Sequence, residues 1–196
     1  MKNNIFLMTK TPIHGLIKKR LAKDIGNCNS KRFTLLNIEN IKKNLANKKN
    51  YKLYFYTTPK KKFRTFSHNI YQNIFIQQGS NMGKKIWYLK SLIKKKFILI
   101  GSDIPDIRFI DLNIAFQILK TNDVVIGPTY DEGFWLIGFS NKKPIVSPFK
   151  NIRWSTQYTL TDVIYNIKKN GNTFDFCKKL RDIDIIDDYC DYNDKV

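Results

Sequence analysis

The sequence predicts one α/β domain, a three-layer sandwich in which helices cover both faces of a mostly parallel, mixed sheet. Short apolar runs alternate with longer segments of helical spacing along the chain, which is typical of parallel strands joined by crossover helices. The 196 residues are 42% hydrophobic, enough for one sizeable core but not for two comfortable domains. No linker-like stretch divides the chain, so we expect residues 1–196 to form a single domain.

Six apolar segments predict the strands of this sheet. In chain order they span residues 5–8, 51–57, 73–77, 97–100, 124–128 and 134–139. The second segment alternates with the period of two that strands have, and Pro59 ends it. The sixth follows the fifth after a short turn, a connection that permits an antiparallel strand.

Helical spacing predicts four helices. They span residues 31–48, 82–95, 108–119 and a last segment that ends near residue 169. In the second of these, Ile86, Leu89 and Ile93 recur at three- and four-residue intervals, which places them on one face. Ser155 or Thr156 is the predicted cap of the last helix, because hydroxyl side chains satisfy the free N–H groups of a first turn.

The chain is strongly basic, with 35 Lys and Arg against 16 Asp and Glu and a net charge of +19. Such a surface attracts polyanions whatever its purpose. The lysines occur in short runs among many Asn and Ile residues, which is typical of solvated faces. No RNA-recognition strand, zinc finger or Gly-x-x-Gly loop accompanies them. We therefore do not expect nucleic acid as the specific partner, and a non-catalytic polyanion-binding domain is kept as an alternative.

Targeting and redox features point to the cytoplasm. No apolar run approaches the ~20 residues of a membrane span. The N-terminal segment offers four consecutive apolar residues, 5–8, fewer than the ~7 that a signal-peptide core needs. Cys28, Cys177 and Cys190 form no Cys-x-x-Cys pair, and the two histidines lie far apart. A zinc site is therefore not expected, and the thiols are interpreted as reduced.

The fourth strand runs directly into Gly101-Ser102-Asp103-Ile104-Pro105. Ligands of open α/β sheets gather beyond the carboxyl ends of their strands. A carboxylate fixed there, at Asp103, can hold Mg²⁺ or Mn²⁺, and that cation can hold a diphosphate. The alternative is that Asp103 caps a helix or forms a turn.

The loop after the first strand combines a proline and a glycine with three cationic side chains, Lys10, Lys18 and Arg20. Backbone N–H groups at a helix start bind anions, and cations add charge-assisted bonds to phosphate oxygens. The loop matches neither Gly-x-x-x-x-Gly-Lys-Ser/Thr nor Gly-x-Gly-x-x-Gly, so these two nucleotide fingerprints are excluded. A solvated basic turn is the alternative.

Three later segments also carry groups that could serve a site. Asp131 and Glu132 lie in the turn between the fifth and sixth strands, where they could bind an acceptor, act as a base or help hold a metal. The alternative is an acidic hairpin turn. The hydroxyls after Trp154 could cap a helix or contact substrate. Asp182 and Asp184 alternate around Ile183, so this pair can deliver a second metal ligand or balance nearby lysines.

Six motifs in this order resemble the DUF2064 family. They are Lys-x-Pro-x-x-Gly-x-x-Lys-x-Arg-Leu, Gln-Gly with Met-Gly, Ile-Gly-Ser-Asp-Ile-Pro, Gly-Pro-x-x-Asp-x-Gly-Phe, Trp-Ser-Thr and Asp-Ile-Asp, between residues 10 and 184. That family belongs to the GT-A-fold glycosyltransferase-like group, close to bacterial 2-phospholactate guanylyltransferases and other sugar-nucleotide enzymes. The resemblance implies a GT-A, Rossmann-like fold that binds a nucleotide and a divalent metal.

The resemblance also implies roles for individual residues. Residues implied to bind the nucleotide are Lys10, Gly15, Lys18, Arg20, Gly79 and Ser102. Asp103 is the implied metal ligand and Asp184 the candidate second one. Asp131 and Lys18 are the candidate catalytic residues. The acceptor side is implied to comprise Glu132, Gly133, Phe134, Trp154, Ser155 and Thr156.

Two departures from the family pattern bear on the acceptor. The family usually has Asp-Gly-Gly where this chain has Asp131-Glu132-Gly133, which places a bulkier, charged side chain in the turn. Residues 81–86 have the sequence Asn-Met-Gly-Lys-Lys-Ile, whereas the family has the more acidic Leu-Gly-Glu-Arg there.

The sequence therefore predicts a Mg²⁺- or Mn²⁺-dependent transferase with a nucleotide-activated small-molecule donor, a nucleotide-diphospho-sugar above all, and an acceptor that it does not identify. A nucleotidyltransferase that uses a nucleoside triphosphate and releases pyrophosphate is the alternative on the same fold.

Overall fold

A seven-stranded mixed sheet with helices on both faces forms the centre of the computed structural model, which describes residues 2–11, 18–45, 48–58 and 73–193. The strands are β1 (Asn3–Lys10), β2 (Tyr51–Thr58), β3 (Ile74–Ile76), β4 (Phe97–Gly101), β5 (Val124–Pro128), β6 (Phe134–Phe139) and β7 (Phe174–Phe176). The helices are α1 (Lys19–Leu45), α2 (Met82–Leu92), α3 (Phe109–Ile118), α4 (Thr159–Lys169) and α5 (Ile186–Asn193). The predicted α/β sandwich with a mostly parallel, mixed sheet is confirmed.

The strand order is β3-β2-β1-β4-β6-β5-β7. All neighbouring strands pair in parallel except β6, which is antiparallel to both β4 and β5. The chain leaves β1 on one side towards β2 and β3, and returns on the other side as β4. The β1–β4 boundary is therefore the switch point, where a crevice opens beyond the strand ends.

The central strands bury both of their faces, which is why they read as continuous apolar runs. On one face, Ile98 and Ile100 of β4 belong to a core that α1 and α3 complete. On the other, Phe97 and Leu99 belong to a second core completed by α2 and α4. The side chains alternate between these cores because successive residues of a strand point to opposite faces.

Three elements lie outside the sequence prediction. Helix α1 begins at Lys19 instead of residue 31, and a kink at Gly26, whose φ is 80°, divides it into two helical parts. Its first part has little apolar periodicity of its own, and Leu21 packs instead with Phe33 and the distant Ile183. The short edge strand β7 and the polar helix α5 were also not predicted. Both lack the apolar pattern that marked the other elements.

None of the helices within the described part of the chain is long and apolar enough to cross a membrane.

Gly138 in the middle of β6 pairs with Ile98 and Val125 on its two neighbouring strands. A Cβ at this position would lie 2.7 Å from a methyl group of each of these side chains. We expect Gly138→Ala to lower the free energy of unfolding by about 1–3 kcal/mol through overpacking. The measurement is the midpoint of urea unfolding at unchanged m-value.

Ser140→Ala is the control, since the Ser140 hydroxyl is buried and has no hydrogen-bond partner within the described residues. It should leave the midpoint unchanged or raise it. A Gly138→Ala variant as stable as the native protein would contradict the packing described for β6.

Candidate functional site

A cleft of about 730 Å³ lies beyond the C-terminal ends of the central strands β1 and β4. Because β6 is antiparallel to these strands, its first residues reach the same end of the sheet. Residues from several distant segments line the cleft, and they include Met8, Arg20, Met82, Asp103, Asp131, Phe134, Trp154, Asp182 and Asp184. The position is where open α/β sheets bind their ligands.

Asp103 is held at the end of β4 by its neighbours. Ile104 is buried, and the Asp103 carbonyl accepts a hydrogen bond from the N–H of Ile183 at 3.1 Å. A Cβ on Gly101 would lie 2.6 Å from Oδ1 of Asp103. The glycine therefore leaves room for the carboxylate to fold back over the strand end, with its side chain 38% exposed to the cleft.

Lys18 lies behind this carboxylate, just before α1, and its side chain is only 7% exposed. Its Nζ donates a hydrogen bond to the carbonyl oxygen of Ile183 and another to Oδ1 of Asp184 at 3.3 Å. The same Nζ lies 3.7 Å from Oδ2 of Asp103. Three oxygens from two distant segments therefore converge on one ammonium group.

Arg20 is the second cation at this end of the cleft. It is 73% exposed, and its Nη1 lies 3.7 Å from Oδ2 of Asp184. Lys18 and Arg20 thus bind the same carboxylate, one with a side chain that is almost fully covered and one that is largely exposed.

Asp131 is fixed by the turn between β5 and β6. Its Oδ1 accepts hydrogen bonds from the Thr129 hydroxyl at 2.5 Å and from the N–H of Gly133 at 3.0 Å. A Cβ on Gly133 would lie 3.0 Å from that oxygen, so glycine permits this close turn. The arrangement presents a carboxylate with a set orientation to the cleft.

Glu132, in the same turn, is placed differently. Its backbone has a φ of 63°, a left-handed conformation that glycine adopts without strain. Its carboxylate lies 3.2 Å from Nζ of Lys179 and does not line the cleft. A glutamate at this position therefore adds backbone strain and an ion pair outside the cleft.

Asp182 also lines the cleft, although the sequence led us to choose its neighbour Asp184 as the second metal ligand. Burial, together with the charges of Asp131, Asp103 and Asp184, raises the pKa of Asp182 to about 6. The alternation of Asp182 and Asp184 around Ile183 could have indicated this role. Ile183 is buried, and both of its acidic neighbours line the cleft. The cleft thus holds four carboxylates, because Asp182 joins the three predicted ones that line it, Asp103, Asp131 and Asp184.

The oxygens near Lys18 are candidate ligands for a divalent cation. Within the described residues, no group of three or more His, Cys, Asp or Glu side chains is arranged to hold a metal ion. The oxygens around Lys18 Nζ, two from carboxylates and one from a carbonyl, are nevertheless the ligand type that Mg²⁺ and Mn²⁺ prefer. With the ammonium as a stand-in cation, Asp103 and Asp184 fit a site that two carboxylates and substrate phosphates complete.

Trp154 lines the cleft and packs against Phe149, and these two side chains form what we call the aromatic wall. The ring centroids of Trp154 and Phe149 lie 6.1 Å apart, and a Cβ on Gly83 would clash with both side chains. Glycine at this position therefore allows α2 to pack against the wall. Ser155 and Thr156 follow Trp154 on the lining.

The prediction that Ser155 or Thr156 caps the last helix is wrong. Helix α4 begins at Thr159 with Tyr158 as its N-cap. The Thr156 hydroxyl instead donates to the carbonyl of Arg153 at 2.8 Å and accepts from the N–H of Tyr158. It stabilises the turn that precedes the helix.

The sequence of this chain matches one protein-family model. The model of the DUF2064 family, an uncharacterized protein conserved in bacteria, matches residues 41–156, more than half of the sequence. The chain belongs to the DUF2064 family. No curated protein sequence matches it.

Solved structures resemble this DUF2064 protein in fold. A protein of Desulfovibrio desulfuricans G20, provisionally named a nucleotide-diphospho-sugar transferase, has a TM-score of 0.87 at 23% identity, covering 96% of this chain and 85% of its own. A CMP:2-keto-3-deoxy-manno-octonic acid synthetase complexed with CTP has a TM-score of 0.60 at 8% identity, covering 100% and 98%. Rv0371c of Mycobacterium tuberculosis H37Rv, in complex with manganese, has 0.56 at 10% identity and covers 100% of both chains.

The cleft of this DUF2064 protein brings together many of the residues selected from sequence. Those on its lining are Arg20, Asp103, Asp131, Gly133, Phe134, Trp154, Ser155, Thr156 and Asp184. Lys18 does not line it but contacts two residues that do, Asp103 and Asp184. Lys10, Gly79, Ser102 and Glu132 do not line it, and Gly15 lies outside the described residues.

The segment that carries Trp154 is anchored by one ion pair. Asp162 of α4 accepts hydrogen bonds from the backbone N–H, Nε and Nη2 of Arg153, at 2.7–3.0 Å. These bonds from Arg153 lower the pKa of Asp162 to about 2. The guanidinium also lies 3.9 Å from the centroid of the Tyr158 ring, so Arg153 holds the turn on both sides.

This lowered pKa predicts how the pair responds to acid. A carboxylate with a lowered pKa in the folded protein stabilises it above its ordinary pKa, near 4, and loses that effect as the pH falls towards 2. We therefore expect Asp162→Asn to lower the urea midpoint at about pH 7, and the difference from the native protein to shrink at about pH 2.5. Asp175→Asn, at an exposed carboxylate of β7, is the control. A difference that persists undiminished in acid would contradict the assigned ion pair.

Proposed function

We propose that this DUF2064 protein is a transferase that uses a nucleotide-activated donor, of the nucleotide-diphospho-sugar class, with Mg²⁺ or Mn²⁺ as cofactor. The observation that carries the proposal is the convergence of Asp103, Asp184 and the Ile183 carbonyl on one cation position, with both carboxylates on the lining of the switch-point cleft. The fold shared with structures named for a nucleotide-sugar transferase, a CTP complex and a manganese complex supports it.

The donor's phosphates would lie at the end of the cleft where Lys18 and Arg20 meet Asp184. Lys18 supplies a compact ammonium, and the exposed Arg20 can form a forked pair with phosphate oxygens. Lys10, Gly15, Gly79 and Ser102 stay proposed contacts of the nucleotide. A divalent ion held by Asp103 and Asp184 would neutralise the negative charge that develops on the leaving phosphate.

The acceptor would occupy the other end of the cleft, between Asp131 and the aromatic wall. Asp131 is our candidate for the group that orients an acceptor hydroxyl and takes its proton, since two hydrogen bonds already fix Oδ1. Gly133, Phe134, Trp154, Ser155 and Thr156 border that space. Glu132 affects it only through the conformation of the turn.

A nucleotidyltransferase is the second candidate, favoured by the fold shared with the CTP-bound synthetase and by the two cations near the phosphate end. It would take a nucleoside triphosphate and release pyrophosphate, whereas the first candidate releases a nucleoside diphosphate. A non-catalytic polyanion-binding domain is less favoured, because it gives no role to the four carboxylates that line the cleft.

Asp103→Asn is the variant that tests the proposal. It keeps the size of the side chain and removes the charge that would bind the metal, so we expect donor turnover to fall by at least about a hundredfold, with the fold retained. The measurement is phosphorus NMR of incubations with nucleotide sugars and with nucleoside triphosphates, in which nucleoside diphosphate and pyrophosphate give separate signals. These products also decide between the two candidates.

The matched control is Asp106→Asn, three residues along the same loop, at an exposed carboxylate that does not line the cleft. It should turn over the donor like the native protein. A folded Asp103→Asn protein with full activity would rule out the proposed role of Asp103.

A further inference from the structure

We propose that Lys18 and the divalent metal compete for one position: the ammonium occupies the cation site of the free protein, and metal binding requires its displacement. This inference rests on the proposed function, because it concerns the same Asp103 and Asp184. It adds that the Lys18 ammonium occupies the metal site until a donor binds.

The contacts of Lys18 are those of a cation in a ligand shell. Its Nζ binds the Ile183 carbonyl and lies 3.3 Å from Oδ1 of Asp184 and 3.7 Å from Oδ2 of Asp103. With 7% of the side chain exposed, water has little access to this ammonium. A buried cation of this kind is retained by its partners, and these partners are the oxygens that a metal would need.

Lys18 differs in this respect from its neighbour Arg20. Arg20 contacts Asp184 alone among these three groups, through Oδ2, and is largely exposed. Its charge is screened by solvent, and it leaves Oδ1 of Asp184 and the whole of Asp103 to Lys18. Removal of Arg20 should therefore change metal binding much less than removal of Lys18.

Displacement of Lys18 would have a use in the reaction. The ammonium stands on a flexible four-carbon stem with three donors, so it can turn from carboxylate to phosphate oxygens without a change in the fold. With a donor diphosphate bound, Asp103 and Asp184 would be free to hold the metal, because Lys18 would donate its hydrogen bonds to the phosphate oxygens instead. Metal alone offers the displaced ammonium no new partner. The structure therefore predicts weak metal binding by the free protein and much tighter binding together with the donor.

The test is the affinity for Mn²⁺ in the absence of nucleotide, followed by the electron paramagnetic resonance signal of the free ion. We expect Lys18→Met to bind Mn²⁺ at least about tenfold more tightly than the native protein. Arg20→Met, which also removes one positive charge beside Asp184, should change the affinity by less than about threefold. Lys18→Met combined with Asp103→Asn should lose the gain.

A folded Lys18→Met protein that binds Mn²⁺ no more tightly than the native one would overturn the competition. If the native protein binds Mn²⁺ with a nucleotide present, the proposed function survives that result. If no variant binds Mn²⁺ with or without nucleotide, the metal site of the proposed function fails as well.

The native protein offers a second measurement that does not depend on how the variants fold. Reductive methylation followed by mass spectrometry reports how accessible each lysine is. Saturating Mg²⁺ should raise the labelling rate of Lys18 severalfold and leave that of Lys179, which pairs with Glu132 outside the cleft, unchanged. No increase at Lys18 would overturn the proposal.

Discussion

The buried ammonium of Lys18 joins parts of the chain that are 165 residues apart in sequence. It precedes α1, binds the strand end that carries Asp103, and binds the C-terminal segment at Ile183 and Asp184. A charge with so little exposure is stable only while its partners surround it. In the free protein, this one cation therefore holds Asp103 and Asp184 together, and both carboxylates are also proposed metal ligands.

The sheet brings these partners together through its topology. Parallel pairing of β1 with β4 brings the end of β1 beside the end of β4, which Asp103 directly follows. The antiparallel β6 returns its first residues to the same end of the sheet, so that the turn with Asp131 faces the cleft. The segment after β7 follows the end of β5, with hydrogen bonds from Cys177 to Ile126 and from Leu180 to Pro128, and so delivers Asp182 and Asp184. Four carboxylates and two cations thus meet at one switch point.

Most of the sheet could be predicted from the sequence because its central strands bury both faces. Asp103 could be selected for the same reason, as a lone carboxylate directly after a buried strand. The first part of α1 could not be predicted, since the kink at Gly26 and the packing of Leu21 on Ile183 depend on distant residues. The placement of Asp182 and the outward position of Glu132 likewise follow from contacts with other segments. The ion pairs of Lys18 belong to the same class, because a cation in a basic chain gives no local sign of which carboxylates it will meet.

The central claim is that the cleft binds a nucleotide donor through a metal held by Asp103. Thermal unfolding of the native protein and of Asp103→Asn tests it most directly, with nucleoside diphosphates, triphosphates and sugar nucleotides, each with Mn²⁺ and with a chelator. A ligand at a hundred times its dissociation constant adds roughly 2.7 kcal/mol to the stability of the folded state. The account predicts a shift of this size for one ligand class with Mn²⁺, lost with the chelator and in Asp103→Asn. Stabilisation that is the same with and without metal, or unchanged in Asp103→Asn, would contradict it.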